Sequence, residues 1–164
     1  IGVVPVTRVA EDAGLEVDRG VVVDDRLRTS DPRIWAAGDV ASYPAPDGSR
    51  VRVEHWVAAE RQGQAAARNM LGHDEPFTDP PFFWSQHYDV TINVTGYLGG
   101  WDDEVVVGDP ADGPVLVGFR RDGRFRAVAS IHRDLENLKA EHALARGDDA
   151  TLAALFQPVE RVGR

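Results

Sequence analysis

The sequence predicts an α+β protein in two parts: a C-terminal antiparallel sheet with two helices over residues 81–164, preceded by the last strands and helix of an α/β segment. Three observations carry this reading. Residues 88–133 break into short β-rich runs separated by Gly, Pro and Asp, the pattern of strands joined by tight turns. Residues 56–71 are Ala-rich and residues 134–146 amphipathic, so both predict helices. Between the halves, "HDEPFTDPP" carries three prolines, a composition that marks a boundary between domains at 1–75 and 81–164.

Composition narrows the function classes. A chain of 164 residues suffices for one compact domain or one and a half. With 43% hydrophobic and 27% charged residues it reads as soluble and globular. The 18 basic residues against 27 acidic ones give a net charge of −9, which argues against nucleic-acid and membrane-surface partners. There is no cysteine, which excludes disulfides, thiol catalysis and iron–sulfur ligation within this chain. No apolar run approaches the ~18 residues of a membrane helix. Nothing resembles a signal peptide, so the expected location is the cytoplasm. The opening Ile1 reads as a piece of a longer polypeptide or a processed start.

The elements follow in order. Residues 2–18 begin extended, with a short helix over 7–13 ending near Gly14. "GVVVDDRLRTS" predicts a strand, a turn at Asp24-Asp25 and a second extended piece. In "TSDPRIWAAGDV", the turn formers Asp31 and Pro32 lead into the apolar run Ile34-Trp35-Ala36-Ala37, a buried-looking strand that stops on Gly38-Asp39. The helix over 56–71 has Gly72 as its stop. Beyond the linker, consecutive runs predict adjacent antiparallel pairing in a sheet of four or five strands, with Asp112-Gly113 and Asp122-Gly123 at turns. In the helix over 134–146, Leu135, Leu138, His142 and Ala145 form the stripe expected to cover the sheet. Asp134 or a neighbour caps it and Gly147 ends it, before a last short helix in "DDATLAALFQ". Trp35 and Trp101 read as packing residues.

Asp39 raises the chemical question, because a carboxylate at the end of a buried strand is costly unless something polar meets it. It either caps a turn or the next helix, or accepts from an external donor. Thr29, Pro32, Ile34, Ala36, Gly38 and Asp39 resemble the T-x-x-P-x-[IV]-[YFW]-A-x-G-D segment of two-dinucleotide-binding flavoproteins. That resemblance implies that Asp39 accepts hydrogen bonds from the ribityl hydroxyls of FAD. A carboxylate is an acceptor-only group that suits a chain of hydroxyl donors, and Gly38 allows close approach.

Two further segments extend the resemblance. "VEHWVAAERQGQAAARNMLG" is similar to the helix whose N-terminus faces the flavin pyrimidine in those enzymes. This implies cofactor-binding roles for Glu54, His55 and Trp56. No Ser, Thr or Asp caps the helix beside Trp56, which leaves its first N–H groups for an external acceptor. "PPFFWSQHYDV" resembles the entry to the C-terminal domain of ferredoxin reductases, rubredoxin reductases and apoptosis-inducing-factor-like flavoproteins, and sits nearest that last branch. It implies that Trp84 lies near the isoalloxazine and the nicotinamide site; a tryptophan buried at a domain hinge is the alternative. Gln86 stands where many relatives have Asp, so no role of that acid transfers.

The resemblance covers nearly the whole chain and implies the C-terminal portion of an FAD-dependent NAD(P)H ferredoxin or rubredoxin reductase. FAD and NAD(P)H would be cofactors of the intact parent, and a ferredoxin or Rieske-type iron–sulfur protein or domain its electron acceptor. No catalytic acid or base is implied. No G-x-G-x-x-G occurs, so neither phosphate loop is present and the chain alone is expected to be free of FAD. His55, His87 and His132 match no metal-ligand spacing. The arginines 120, 121, 124, 126 and 133 form either a solvated hairpin face or a site for an acidic partner. The alternative function is a non-catalytic dimerisation or interaction module, forming a homodimer.

Overall fold

The computed structural model describes residues 2–157, and the chain divides into two compact units, Ile1–Asp79 and Pro80–Arg164. The first unit contains α1 (Arg8–Asp12), β1 (Val21–Val22), β2 (Ala41–Pro44), β3 (Arg50–Val51) and α2 (Trp56–Met70). β2 is central, parallel to β1 and antiparallel to β3. Its core gathers Val23, Leu27, Ala41 and Tyr43 against Ala65 and Ala66 of α2. The small side chains on the inner stripe let the helix lie close to the strands. After β1 the Asp24 carboxylate accepts from the backbone N–H groups of Arg26 and Arg28, each at 2.9 Å. This closes a tight turn in which Leu27 adopts φ +62° and is fully buried.

Residues 34–37 depart from the expected strand. They make only one isolated bridge, Trp35 with Arg28, and Ile34 is exposed. The strand begins later, at Ala41, after Gly38 has turned the chain at φ +81°. Asp39 thus precedes a strand instead of ending one. The physical reason is local: residues 29–34 are closed into a loop by their own hydrogen bonds (below), and Val40 is the first residue of this segment whose carbonyl accepts from β1, at 2.7 Å from Val21 N.

The second unit holds β4 (Phe82–His87), β5 (Val90–Gly96), β6 (Asp103–Gly108), β7 (Val115–Arg121), β8 (Arg124–Ile131), α3 (Asp134–Arg146) and α4 (Asp149–Leu155). The five strands are antiparallel throughout, in the order β4-β5-β8-β7-β6. The expectation of adjacent pairing therefore holds for β4–β5, β6–β7 and β7–β8, and fails between β5 and β6. β8 takes the central place, with Ala127 and Val128 inaccessible. β6, with Asp103 and Glu104 exposed, suits an edge. The segment "FFWSQH", read from the sequence only as a motif, forms the opposite edge strand.

The expected face of α3 is reversed. Leu135 and Leu138 are 62% and 55% exposed, whereas Asn137, Ala140 and Ala143 are buried. The small residues allow close approach to the sheet. The Asn137 side-chain amide donates to the carbonyls of Asn93 and Val128, both at 3.3 Å. Asp134 opens the helix without capping it; its carboxylate accepts from Asn93 Nδ2 at 2.8 Å. Leu152 of α4, whose N-cap Asp148 accepts from Thr151 N at 3.0 Å, completes the core with Leu116 and Val128.

Candidate functional site

The Thr29–Asp39 motif is a self-bonded loop. The Thr29 side chain is buried, and its hydroxyl lies 3.1 Å from the carbonyl of Asp31 and 3.0 Å from that of Ile34, while accepting from Asp31 N at 3.2 Å. Thr29 N donates to the same Ile34 carbonyl. The Asp31 carboxylate accepts from the Arg33 guanidinium and backbone N–H. Those bonds, the guanidinium first, lower its pKa to about 2. The threonine and the turn residues of the motif therefore shape the loop, and Ala36 N returns it to the Leu27 carbonyl at 3.1 Å.

Gly38 and Asp39 come next, and their backbone is tied on three sides. Gly38 is buried, its N–H donates to Gln62 Oε1 of α2 at 2.8 Å, and its carbonyl accepts from Ala41 N at 2.9 Å. A Cβ at Gly38 would sit 3.3 Å from the Ala59 Cβ, at a positive φ that L side chains avoid. Asp39 O accepts from Arg52 Nη1 at 2.9 Å, and Arg52 is paired with Glu54. The Asp39 side chain is exposed, and its carboxylate makes no hydrogen bond or ion pair with the described residues. It caps neither a turn nor a helix.

The start of α2 differs from the expectation of open N–H groups. His55 is the N-cap, with extended φ −153° and ψ 140°, and its Nδ1 accepts from Val57 N at 3.4 Å. That bond needs an unprotonated Nδ1, which assigns the ring proton of neutral His55 to Nε2. Burial pushes the His55 pKa below its ordinary value, opposed by the negative charge of Asp39. Glu54 is engaged by Arg52, and Trp56 is 71% exposed at the first helical position.

Five of the six residues implicated by sequence thus lie in the first unit: Gly38, Asp39, Glu54, His55 and Trp56. The sixth, Trp84, lies on β4 of the second unit opposite Asn93, 39% exposed, with its ring 6.3 Å from that of Phe82. Sequence reasoning missed Gln62 and Arg52, which hold the turn. A signal for Gln62 existed. It shares with Ala58, Ala65 and Asn69 the buried stripe of α2, and an amide on a stripe of alanines must find a buried partner.

The first unit thus carries, on the turn that leads into β2, β3 and α2, a carboxylate with no hydrogen bond among the described residues, and the second unit is a five-stranded antiparallel sheet with two helices; together they make an α+β chain. Residues 1–63 match the pyridine nucleotide-disulphide oxidoreductase family and residues 82–162 the reductase C-terminal family. The two matches together span most of the chain, which resembles the C-terminal portion of pyridine nucleotide-disulphide oxidoreductases of ferredoxin-reductase type. It is 41% identical over 149 residues to the ferredoxin–NAD(+) reductase component of the anthranilate 1,2-dioxygenase system of Burkholderia cepacia, covering 90% of this chain and 37% of that protein. Human apoptosis-inducing factor 3 is 30% identical over 151 residues, covering 90% of this chain and 25% of its own length. Among solved structures, the ferredoxin reductase for the CYP199A2 system of Rhodopseudomonas palustris superposes with a TM-score of 0.87 at 28% identity, covering 96% of this chain and 39% of that one. A covalent putidaredoxin reductase–putidaredoxin complex gives 0.84 at 29% identity, covering 95% and 38%. The chain spans little more than a third of these bacterial relatives.

Proposed function

We propose that this chain works as the C-terminal part of an FAD-dependent NAD(P)H oxidoreductase that delivers electrons to a ferredoxin or Rieske-type iron–sulfur partner. Residues 1–75 then end the FAD-binding domain, and residues 81–164 form the reductase C-terminal domain. The observation that carries this reading is the Asp39 carboxylate: exposed, without a hydrogen bond among the described residues, on a turn whose backbone is tied at three groups. A preorganised acceptor of this kind suits a polyol, because its orientation is set before the ligand arrives. The glycine beside it holds φ +81°, a conformation that L side chains rarely adopt, and leaves no side chain of its own next to the carboxylate.

The residues present thus fit FAD. Asp39 would hold the ribityl hydroxyls, with Gly38 allowing the contact. Bound FAD would supply the redox chemistry, taking hydride from NAD(P)H and passing electrons on singly. The remaining N–H groups at the start of α2 provide a positive dipole end, and His55, Glu54 and Trp56 form its rim. Trp84 offers an indole face, without a titratable proton, for the nicotinamide site. A nicotinamide donor is available in the cytoplasm, the location we propose for the enzyme.

The test is FAD affinity of the full-length protein carrying Asp39→Ala. Loss of a charge-assisted hydrogen bond costs about 1.5–3 kcal/mol, a weakening of roughly 10- to 150-fold. Unchanged FAD affinity and full flavin occupancy in the purified variant would refute the assignment.

A further inference from the structure

We infer that Gln62 is the positioning residue of the flavin-binding turn, acting through Gly38 to aim the Asp39 carboxylate; the inference rests on the reading of Asp39 given above. Gln62 is 1% exposed in the middle of α2, and its Oε1 accepts from Gly38 N at 2.8 Å across 24 residues of sequence. Glycine is the residue with the widest backbone freedom, so a turn built on Gly38 has no intrinsic preference for φ +81° over its alternatives. Something outside the turn must select that conformer. The Ala41 N–H and the Arg52 guanidinium both bind carbonyls, those of Gly38 and Asp39 respectively. The N–H of Gly38 has a single partner, Gln62.

Rotation of the peptide that precedes Gly38 would leave both the buried N–H and the buried Oε1 without partners. Gln62 therefore removes the one degree of freedom that would swing the carboxylate of the next residue. It touches no ligand itself. The neighbouring Ala59, whose Cβ faces the Gly38 Cα, limits the turn from the same helix, so the register of α2 and the aim of Asp39 are one quantity.

The experiment is a double-mutant cycle on FAD affinity in the full-length protein, using Gln62→Met, Asp39→Ala and both together, with Gln62→Glu as the variant that keeps an acceptor. Melting temperature and amide exchange at Gly38 are measured in parallel. Gln62→Met keeps the volume and removes the acceptor. It should weaken FAD binding about 3- to 10-fold, speed Gly38 exchange by a similar factor, and have no further effect once Asp39 is Ala. Gln62→Glu should melt lower, because it buries a charge, yet bind FAD better than Gln62→Met. Additive losses in the cycle, or affinities that follow melting temperature across the variants, would overturn the inference. Failure of the underlying flavin reading looks different: Asp39→Ala alone then leaves FAD affinity unchanged, while Gly38 exchange still depends on Gln62.

Discussion

Replacing Asn69 with Ala removes three hydrogen bonds near the C-terminal end of α2. Asn69 Nδ2 donates to the carbonyls of Arg26 at 3.0 Å and Glu75 at 2.9 Å, and Oδ1 accepts from Glu75 N at 2.8 Å. The side chain thus staples the helix to the Asp24 turn and to the stretch of linker that follows, where Phe77 N reaches Asp25 O at 2.7 Å. At about 0.5–1.5 kcal/mol net per neutral bond, the three are worth roughly 1.5–4.5 kcal/mol. Ala gains about 0.6 kcal/mol in helix propensity, and the Glu75 groups lie near enough to solvent to recover water. A net loss of about 1.5–3 kcal/mol is expected. Because the chain has two compact units, a single melting curve mixes them; native-state hydrogen exchange separates them. Protection should fall at Val23 and Leu27 of the first unit and stay unchanged at Leu116 and Val128 of the second. A loss under about 0.5 kcal/mol at Val23, the scale of an ordinary surface substitution, or an equal loss in both units, would refute the staple.

Two other outcomes follow from the same structure. Gly96→Ala places a Cβ 2.2 Å from the Arg126 carbonyl oxygen at φ +91°, so clash and backbone strain act together at the β5–β8 pairing; a loss above about 3 kcal/mol is expected, and a variant melting within a few degrees of wild type would show the strand end to be pliable. For His55, burial lowers the folded pKa below the ordinary value of 6.5, so between the two values the unfolded chain binds a proton that the folded chain does not. Stability of the first unit should therefore fall as pH drops through that window and be flat above it. His55→Gln should abolish the slope. A ring titration by NMR with a midpoint at or above 6.5 would contradict the cause.

Local features of this fold were legible in the sequence and relational ones were not. Helix α2 and its Gly72 stop, the helix over 134–146, and the Asp122-Gly123 turn follow from propensity and turn chemistry acting over a few residues. The Gly38-Asp39 pair was legible as a motif for the same reason. The place of β8 was not, because strand order depends on which strand the helices bury. The face of α3 was not, since the stripes Leu135/Leu138/His142/Ala145 and Asn137/Ala140/Ala143 both have helical spacing. Volume favoured the leucines, but the buried stripe is the one of small residues on which the Asn137 amide donates to the carbonyls of Asn93 and Val128. No helix cap was expected beside Trp56, yet His55 is one, because an imidazole with extended backbone at that position reaches the Val57 N–H.

Gln62, Asn69 and Asn137 together show how these helices are held in register. Each lies on the buried stripe of its helix among alanines, and each bonds backbone groups of a different segment. A stripe of Ala is smooth: sliding the helix by one turn exchanges one methyl for another at little cost. A buried amide makes the same slide expensive, because each polar group left without a partner costs about 1–3 kcal/mol. Apolar packing therefore sets how close α2 lies to its sheet, and its two amides set where along the sheet it stops. Gln62 fixes the α2 register against Gly38 at one end and Asn69 fixes it against Arg26 and Glu75 at the other. A turn of glycine, the least constrained residue in the chain, can then present the Asp39 carboxylate in one direction because the helix behind it cannot slide.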